Sequence, residues 1–222
     1  MMPVAVAIMA KAPAPGAVKT RLTPRLTAAD AADLYRCFLL DKIEQVRGVE
    51  DAQPVVAYAP AEARAVFEDL ASGFVLLPQR GADLGARLAN CLAALLARGH
   101  AGAIAIDSDT PTLPTAFVQR GVDLLARAEA DVVIGPSDDG GYYLIGVRAP
   151  QPSLFDAMPW STPAVLPETL RRARAAGLRT ACLPEWFDVD TPADLARLEA
   201  SLGHSGTARP KQTARFFAAR ER

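Results

Sequence analysis

Residues 103–114, AIAIDSDTPTLP, join an apolar run to two carboxylates and two prolines. The run AIAI is typical of a buried strand, because it is apolar throughout rather than at alternate positions. Asp107 and Asp109 follow the strand, and the prolines prevent a helix from starting before residue 114. The stretch therefore predicts a strand whose carboxyl end presents two acids on a rigid turn. Such a pair serves either as turn and cap residues or as ligands of a bound cation.

The same alternation of apolar runs and helical patterns extends over most of the chain. Strand-like runs occur at 4–9, 54–59, 74–77, 103–106, 131–135, 142–147 and 178–183, and helical patterns at 27–47, 61–71, 84–98, 114–128, 163–177 and 191–202. The predicted helix starts are Thr27 with Asp30, Asp83, and Thr191 before Pro192. Continuous apolar strands separated by helices predict an α/β fold with a mostly parallel sheet covered on both faces. The run at 142–147 follows its predecessor after a short turn, which predicts one antiparallel strand.

Length and charge limit the classes of protein that fit. The chain has 222 residues, of which 50% are hydrophobic, and a formal net charge of −1. This length favours one domain, predicted over residues 1–202. The near-zero charge argues against nucleic acid and against an anionic membrane surface as partners. No apolar stretch approaches the ~20 residues that span a bilayer, and the first residues lack the basic start of a signal peptide, so we expect a cytoplasmic protein.

The final segment and the cysteines give two further predictions. Residues 203–222 are small, polar and basic, which predicts a flexible tail with a short helix at 212–220. Cys37, Cys91 and Cys182 are dispersed in apolar runs and match no zinc or disulfide spacing. We therefore expect small thiols buried in the core.

A basic loop follows the first predicted strand. The segment KAPAPGAVKTRL (11–22) contains Lys11, Gly16, Lys19 and Arg21. Glycine lets a backbone pass close to a ligand, and lysine or arginine neutralises phosphate oxygens. The spacing is not that of a P-loop. The loop is either a phosphate-binding segment or a solvated basic surface, and its place at a strand end favours the first.

Acids at two distant strand ends suggest a metal site. In open parallel sheets, ligands bind beyond the carboxyl ends of the strands. Asp-Thr-Pro occurs at 109–111 and again at 190–192, in the segment WFDVDTPADL. Asp188 and Asp190 either orient the helix that follows or complete a site with Asp109. Because carboxylates are suitable ligands for Mg²⁺ or Mn²⁺, the repeated motif favours Asp109 and Asp190 as paired ligands.

The segment SDDGGYYLIG (137–146) contains two acids, two glycines and two tyrosines. It fits a simple hairpin turn. It also fits an acceptor site, in which Gly140 and Gly141 admit a ligand close to the backbone. Asp138 or Asp139 and a tyrosine hydroxyl would then supply polar contacts, with Asp139 and Tyr142 preferred.

Together these segments resemble the glycosyltransferase-A-fold superfamily of nucleotide-dependent transferases. Within it, the chain is most similar to the bacterial glycosyltransferase-like family related to 2-phospho-L-lactate guanylyltransferase. The matching stretches, which extend over about residues 4–200, are KAPAPGAVKTRL, DLGARL, SDTPTL, DDGGYYLIG, WSTPAVL and DVDTPADL. The resemblance implies a three-layer α/β/α fold with the nucleotide over its amino-terminal half.

The resemblance also implies roles for individual residues. The run Lys19-Thr20-Arg21-Leu22 resembles a phosphate-binding stretch, and the segment from Gln79 to Arg87, with Gly85, resembles the one that approaches the base. Asp109 resembles the metal aspartate of the superfamily, and Asp190 its second ligand. Asp107 stands where relatives commonly have glycine.

The preferred hypothesis is a metal-dependent nucleotidyltransferase that moves an NMP group from an NTP to a small phosphate- or phosphonate-bearing acceptor. Lys19, Arg21 and Asp109 would be the catalytic residues, with Mg²⁺ or Mn²⁺ held by Asp109 and Asp190. An anionic acceptor needs no general base, which fits a body whose one histidine, His100, is expected at a helix end. A homodimer through 142–147 or the tail is possible.

Two other functions stay open. The Asp-x-Asp form of 107–109 is also used by glycosyltransferases to hold a metal and a nucleotide sugar. A neutral hydroxyl acceptor would then need a base, for which Asp138 or Asp139 is available. The third function is a non-catalytic nucleotide-binding module.

Overall fold

The computed structural model describes residues 2–23, 25–202 and 210–220. Its strands are β1 (Val4–Lys11), β2 (Ala52–Ala59), β3 (Val75–Pro78), β4 (Ala103–Ile106), β5 (Val132–Pro136), β6 (Tyr142–Val147) and β7 (Thr180–Cys182). Its α-helices are α1 (Ala28–Arg47), α2 (Arg64–Leu70), α3 (Leu84–Leu96), α4 (Thr115–Ala126), α5 (Val165–Ala175), α6 (Pro192–Leu202) and α7 (Lys211–Arg220). Short 3₁₀ turns occur at Thr20–Leu22, Ala61–Ala63 and Pro152–Leu154.

The seven strands form one sheet in the order β3-β2-β1-β4-β6-β5-β7. Strand β6 runs antiparallel to both neighbours, β4 and β5, and the other pairings are parallel. This confirms the predicted mostly parallel sheet with an antiparallel strand. Because β6 is reversed, its beginning lies beside the end of β4, where Ile106 pairs with Leu144. The turn before β6 therefore lies at the same sheet edge as Asp107 and Asp109.

Two apolar clusters cover the two faces of the sheet. Along β1, Val6 and Ile8 belong to the cluster that includes side chains of α1 and α4, whereas Ala5 and Ala7 belong to the one that includes α3. Alternate residues of a strand point to opposite faces, so a continuously apolar strand is buried on both sides. The arrangement is the three-layer α/β/α fold that the resemblance implied.

Local signals set the predicted helix starts. Thr27 Oγ1 accepts a hydrogen bond from the Asp30 backbone N at 3.1 Å, and Asp30 Oδ2 accepts one from the Thr27 N at 3.4 Å. This reciprocal pair satisfies two amide groups that the first turn of α1 leaves unpaired. Asp83 caps α3 with a single bond, in which its Oδ1 accepts from Ala86 N at 2.8 Å.

The segment expected to be a free tail contains a docked helix. Helix α7, close to the predicted 212–220, packs on α1. Asp41 of α1 accepts hydrogen bonds from the backbone N of Gln212 at 2.9 Å and of Thr213 at 2.8 Å, so it caps α7 from another helix. Residues 211–220 are therefore not a free tail, whereas residues 203–209 of that prediction lie outside the described residues.

The cysteine prediction is only partly right. Cys91 is buried, Cys37 is half-buried and Cys182 is exposed. Cys182 is exposed because it ends β7, which is an edge strand of the sheet that the described residues form. His100 lies in the segment after α3, with Nδ1 2.8 Å from the Pro3 carbonyl oxygen. None of the helices in the described ranges combines the length and apolarity that a membrane crossing requires.

Candidate active site

A cavity of about 570 Å³ opens at the sheet edge where β1 and β4 end and β6 begins. This volume is in the range typical of small-molecule sites. Of the residues predicted to form the site, the cavity is lined by Lys11, Lys19, Thr20, Arg21, Gln79, Arg87, Asp109, Asp139, Gly141, Tyr142 and Asp190. Gly16, Gly85 and Gly140 do not line it.

Two of those three glycines have packing roles instead. A Cβ on Gly85 would lie 2.6 Å from the Phe155 carbonyl oxygen, so glycine lets α3 approach that segment. Gly140 has φ +89°, and a Cβ there would lie 2.5 Å from the Cα of Pro163. Both positions support the walls of the cavity rather than touch its contents.

Asp109 and Asp190 meet at one point, and the ammonium of Lys19 occupies it. Lys19 Nζ lies 2.6 Å from Asp109 Oδ1 and 2.7 Å from Asp190 Oδ1, and it donates to the Val189 carbonyl oxygen at 2.7 Å. The Val189 backbone N in turn donates to the Asp109 carbonyl oxygen at 3.0 Å. This backbone bond joins the two Asp-Thr-Pro segments, so the two acids are brought together by main chain as well as by charge.

Lys19 is a buried cation in a strained backbone position. Its side chain is 5% exposed. Burial works to lower the pKa of Lys19, but the negative charges of Asp109 and Asp190 outweigh it and raise the pKa above its ordinary value. The backbone at Lys19 is left-handed, with φ +48°, which costs a residue with a side chain about 1–2 kcal/mol. The contacts made by the ammonium therefore hold the loop in this conformation.

The other two predicted cations of the basic loop, Arg21 and Lys11, are open to solvent. The Arg21 side chain is 69% exposed, and its Nη1 lies 3.7 Å from Asp190 Oδ2. Lys11 is exposed, and its backbone N donates to the Tyr35 hydroxyl at 3.0 Å. The Arg21–Asp190 ion pair is exposed and therefore contributes little to stability. Both exposed side chains are thus available to an anion in the cavity.

Asp107 contacts a buried lysine that the sequence analysis did not identify. Lys42 of α1 is 1% exposed, and its Nζ donates to Thr110 O at 2.9 Å and to Thr110 Oγ1 at 2.7 Å. It also lies 3.9 Å from Asp107 Oδ1, which accepts from Thr110 Oγ1 at 2.6 Å. Burial lowers the pKa of Lys42 and raises that of Asp107. Lys42 thus supports the turn that presents Asp109.

The acids of the opposite wall differ in their surroundings. Asp139 Oδ1 accepts from the Gly141 backbone N at 2.8 Å, which shapes the turn before β6. Asp138 pairs with Arg197 and does not line the cavity, so it is not placed to act as a base there. Asp188 does line the cavity. Burial, with the nearby charges of Asp190, Asp139 and Asp107, raises the pKa of Asp188 to about 7.

Gln79 presents one side of its amide to the cavity. Its Nε2 donates to the carbonyl oxygens of Ala10 at 3.1 Å and Ala57 at 2.7 Å, which tie it to the ends of β1 and β2. These two acceptors determine which way the amide faces, because the reverse orientation would set three oxygens together. The Oε1 atom has no hydrogen-bond partner in the described part of the chain. Gln79 therefore offers an acceptor to a ligand.

Several cavity residues were given no role from the sequence, namely Tyr35, Trp160, Ser161 and Thr162, whereas Asp188 was considered as an alternative to Asp190. Trp160 packs edge-on against Tyr142, with ring centroids 6.2 Å apart. The segment from 160 to 162 belongs to WSTPAVL, which carried part of the resemblance but no assigned role. The role of Tyr35 in the cavity could not be predicted, because its sequence context shows only that it lies in an amphipathic helix.

The donor set for a divalent cation is present only in part. Within the described ranges, no group of three His, Cys, Asp or Glu residues is arranged to hold a metal ion. Two carboxylates with substrate phosphates form a donor set that suits Mg²⁺, so Asp109 and Asp190 fit in type. The point on which their oxygens converge is, however, held by Lys19.

Comparison with known proteins gives the family. Residues 42–162 match the model of DUF2064, a family described as an uncharacterized protein conserved in bacteria. The chain belongs to the DUF2064 family. No curated protein matches this DUF2064 chain.

Several solved structures are similar to this chain. A crystal structure from Desulfovibrio desulfuricans G20, provisionally named a nucleotide-diphospho-sugar transferase, is 30% identical, with a TM-score of 0.90, and covers 100% of this chain and 96% of its own. CMP:2-keto-3-deoxy-manno-octonic acid synthetase complexed with CTP is 15% identical over 90% of this chain and 98% of its own, with a TM-score of 0.57. A cytidylyltransferase from Leptospira borgpetersenii is 13% identical over 100% and 96%, with a TM-score of 0.56.

These likenesses confirm the predicted fold and the predicted kinship with nucleotide-dependent transferases of the glycosyltransferase-A fold. The last two structures show the fold alone, because their sequences have diverged so far.

Proposed function

We propose that this DUF2064 protein is a cytoplasmic nucleotidyltransferase that moves an NMP group from an NTP to a small acceptor bearing a phosphate or phosphonate. The observation that carries the proposal is the convergence of the basic loop and the two Asp-Thr-Pro segments on one cavity. An acceptor oxygen would attack the α-phosphorus, the bond to the bridging oxygen would break, and pyrophosphate would leave. The acceptor oxygen is already anionic at neutral pH, so no proton has to be removed.

The basic loop would bind the triphosphate. Arg21 and Lys11 have exposed side chains at the cavity and can neutralise the charge that develops on the leaving pyrophosphate. Mg²⁺ or Mn²⁺, when held by Asp109 and Asp190, would supply further neutralisation of the phosphate oxygens. Catalysis in such a site is mostly positioning and electrostatics.

The remaining walls would hold the base and the acceptor. Gln79 and Arg87 line the side near β1 and β2, where the free amide oxygen of Gln79 suits an N–H group of a base. Asp139, Gly141 and Tyr142 line the side near β6, where we place the acceptor.

Glycosyl transfer from a nucleotide sugar is the second candidate, and one observation favours it. Asp188 lines the cavity with a pKa raised to about 7 by burial, which suits a general base for a neutral hydroxyl. In that reaction the hydroxyl oxygen would attack the sugar carbon and a nucleoside diphosphate would leave.

The test is a panel of the four common NTPs with Mg²⁺ and mixed phosphorylated acceptors, monitored for pyrophosphate. Acceptor-dependent pyrophosphate release supports the proposal, and Arg21→Gln should lower its rate by about 10- to 100-fold. Arg25→Gln is the matched control, because it removes the same charge from the segment that follows this loop, outside the cavity lining. Release of a nucleoside diphosphate from sugar nucleotides would favour the second candidate. Nucleotide binding without turnover in either assay would contradict both reactions and support the third candidate, a non-catalytic nucleotide-binding module.

A further inference from the structure

The Lys19 ammonium is enclosed by oxygen atoms of the protein. A lysine ammonium has three donors and no acceptor. Three oxygens lie within 2.7 Å of Lys19 Nζ, from Asp109, Asp190 and the Val189 carbonyl. The side chain is 5% exposed, and the Phe38 ring lies beneath it, with its centroid 5.8 Å from Nζ. Lys19 donates hydrogen bonds to Asp190 Oδ1 and to the Val189 carbonyl oxygen, and it forms an ion pair with Asp109 Oδ1, which has no hydrogen-bond partner among the described residues. The ammonium is therefore held between the two carboxylates.

The same two carboxylate oxygens are those that a shared divalent cation would use. Mg²⁺ requires oxygen ligands at about 2.0–2.1 Å. Asp109 Oδ1 and Asp190 Oδ1 already approach a positive charge at 2.6 and 2.7 Å. A metal ion and the ammonium cannot occupy this point together, because both would need the same oxygens and they carry the same sign of charge.

Release of Lys19 requires another anion to receive it. Taking the ammonium away from Asp109, Asp190 and Val189 leaves a charge that is expensive to bury without a partner. An incoming triphosphate supplies anionic oxygens beside the basic loop, where Arg21 is already exposed. Release also lets the left-handed backbone at Lys19 relax.

We infer that Lys19 is the resident cation of the Asp109–Asp190 pair and excludes divalent cations from the nucleotide-free protein. A triphosphate draws the ammonium onto its own oxygens and opens the pair to the metal, so metal and nucleotide bind together. The second step rests on the proposed function, whereas the exclusion of metal from the free protein does not.

Calorimetric titration of the nucleotide-free protein with Mn²⁺ tests the exclusion. We expect weak binding to the wild type and at least 10-fold tighter binding to Lys19→Met, whose side chain is uncharged. Arg25→Met, which removes one positive charge from the segment that follows the basic loop, outside the cavity lining, should change the affinity by less than 2-fold. Adding Asp109→Asn to Lys19→Met should abolish the gain. Equal or weaker Mn²⁺ binding by folded Lys19→Met would overturn the inference.

A second measurement uses the wild type, so it does not depend on the folding of a variant. In protein labelled with ¹⁵N-lysine, the enclosed Lys19 ammonium should give a slowly exchanging NMR signal, assigned through its proximity to the Phe38 ring. Millimolar Mg²⁺ alone should leave this signal unchanged, and Mg²⁺ with an NTP that binds should shift it. Loss of the signal with Mg²⁺ alone would overturn the inference. Neither measurement requires turnover, so failure of the proposed reaction would not be confused with failure here.

Discussion

Replacement of Lys42 with methionine tests whether a buried ammonium supports the turn that presents Asp109. Lys42 is 1% exposed, donates to both oxygens of Thr110, and lies 3.9 Å from Asp107 Oδ1. Methionine has nearly the same length but neither charge nor donors. The substitution therefore leaves Asp107 and Thr110 without this partner in the interior.

Two opposing effects determine the magnitude. Removing one member of a buried ion pair costs about 3–5 kcal/mol. Two effects reduce this cost. The variant no longer has to bury a charged ammonium, and Asp107 can take up a proton and become neutral once Lys42 is absent. Because 3.9 Å is a long separation for an ion pair, we expect Lys42→Met to lower the free energy of unfolding by about 2–3 kcal/mol. For a domain of this size that is a decrease in Tm of about 5–10 °C.

Urea denaturation gives the free energy of unfolding from the midpoint at constant m-value. Asp107→Asn and the double variant complete a cycle, in which the double variant should lose about 1–2 kcal/mol less than the sum of the single losses. Lys211→Met, at an exposed lysine of α7, is the control and should change stability by less than about 0.5 kcal/mol. If the two single losses add to within about 0.5 kcal/mol, Lys42 and Asp107 are not coupled and the reasoning is refuted.

Three other predictions follow from single residues. Gly140→Ala should lower the free energy of unfolding, measured by urea denaturation, by at least ~2 kcal/mol, because the added Cβ would lie 2.5 Å from the Cα of Pro163. Gly16→Ala should lower it by only ~1 kcal/mol, because Gly16 has φ +75° but no described atom lies within 4 Å of the added Cβ. Equal losses would contradict this reasoning. Gln79→Met should weaken the binding of a nucleoside and of its NTP by the same factor of about 10, measured by calorimetry, because it removes a contact with the base. Weaker binding of the NTP alone would mean that Gln79 contacts the phosphates instead. Hydrogen bonds from Arg179 lower the pKa of Asp131 to about 2. The ionised Asp131 therefore stabilises the folded protein above about pH 4, and this contribution is lost as the pH falls towards 2. Asp131→Asn should therefore be less stable than the wild type at pH 7 and equal to it near pH 2, and a pH-independent difference would exclude this cause.

Much of the fold could be predicted because its signals are local. The apolar runs identify the strands, and Thr27, Asp30 and Asp83 mark helix starts through bonds only a few residues long. The antiparallel strand β6 could be predicted because a short turn cannot connect parallel neighbours.

The centre of the site was less predictable, because it depends on contacts between distant residues. Which cation approaches Asp190 is decided by the bond from Lys19, 171 positions earlier in the chain. One signal was available for Lys42, which follows Leu34 and Phe38 at intervals of four on the inward face of α1. A lysine at such a position indicates a buried acceptor, although not which one. The exposure of Cys182 could not be predicted, because it depends on β7 lying at the edge of the sheet.

The docking of α7 on α1 has a consequence for biosynthesis. Asp41 and Thr213 are 172 positions apart, so α1 is complete long before its partner helix exists. At a synthesis rate of about 5–20 residues per second, the interval is roughly 10–30 s. During that time α1 lacks the cover of α7, whose Phe216 and Phe217 later pack against the apolar cluster to which α1 belongs. The nascent chain thus offers chaperones, or a neighbouring nascent chain, an apolar surface that the finished protein conceals.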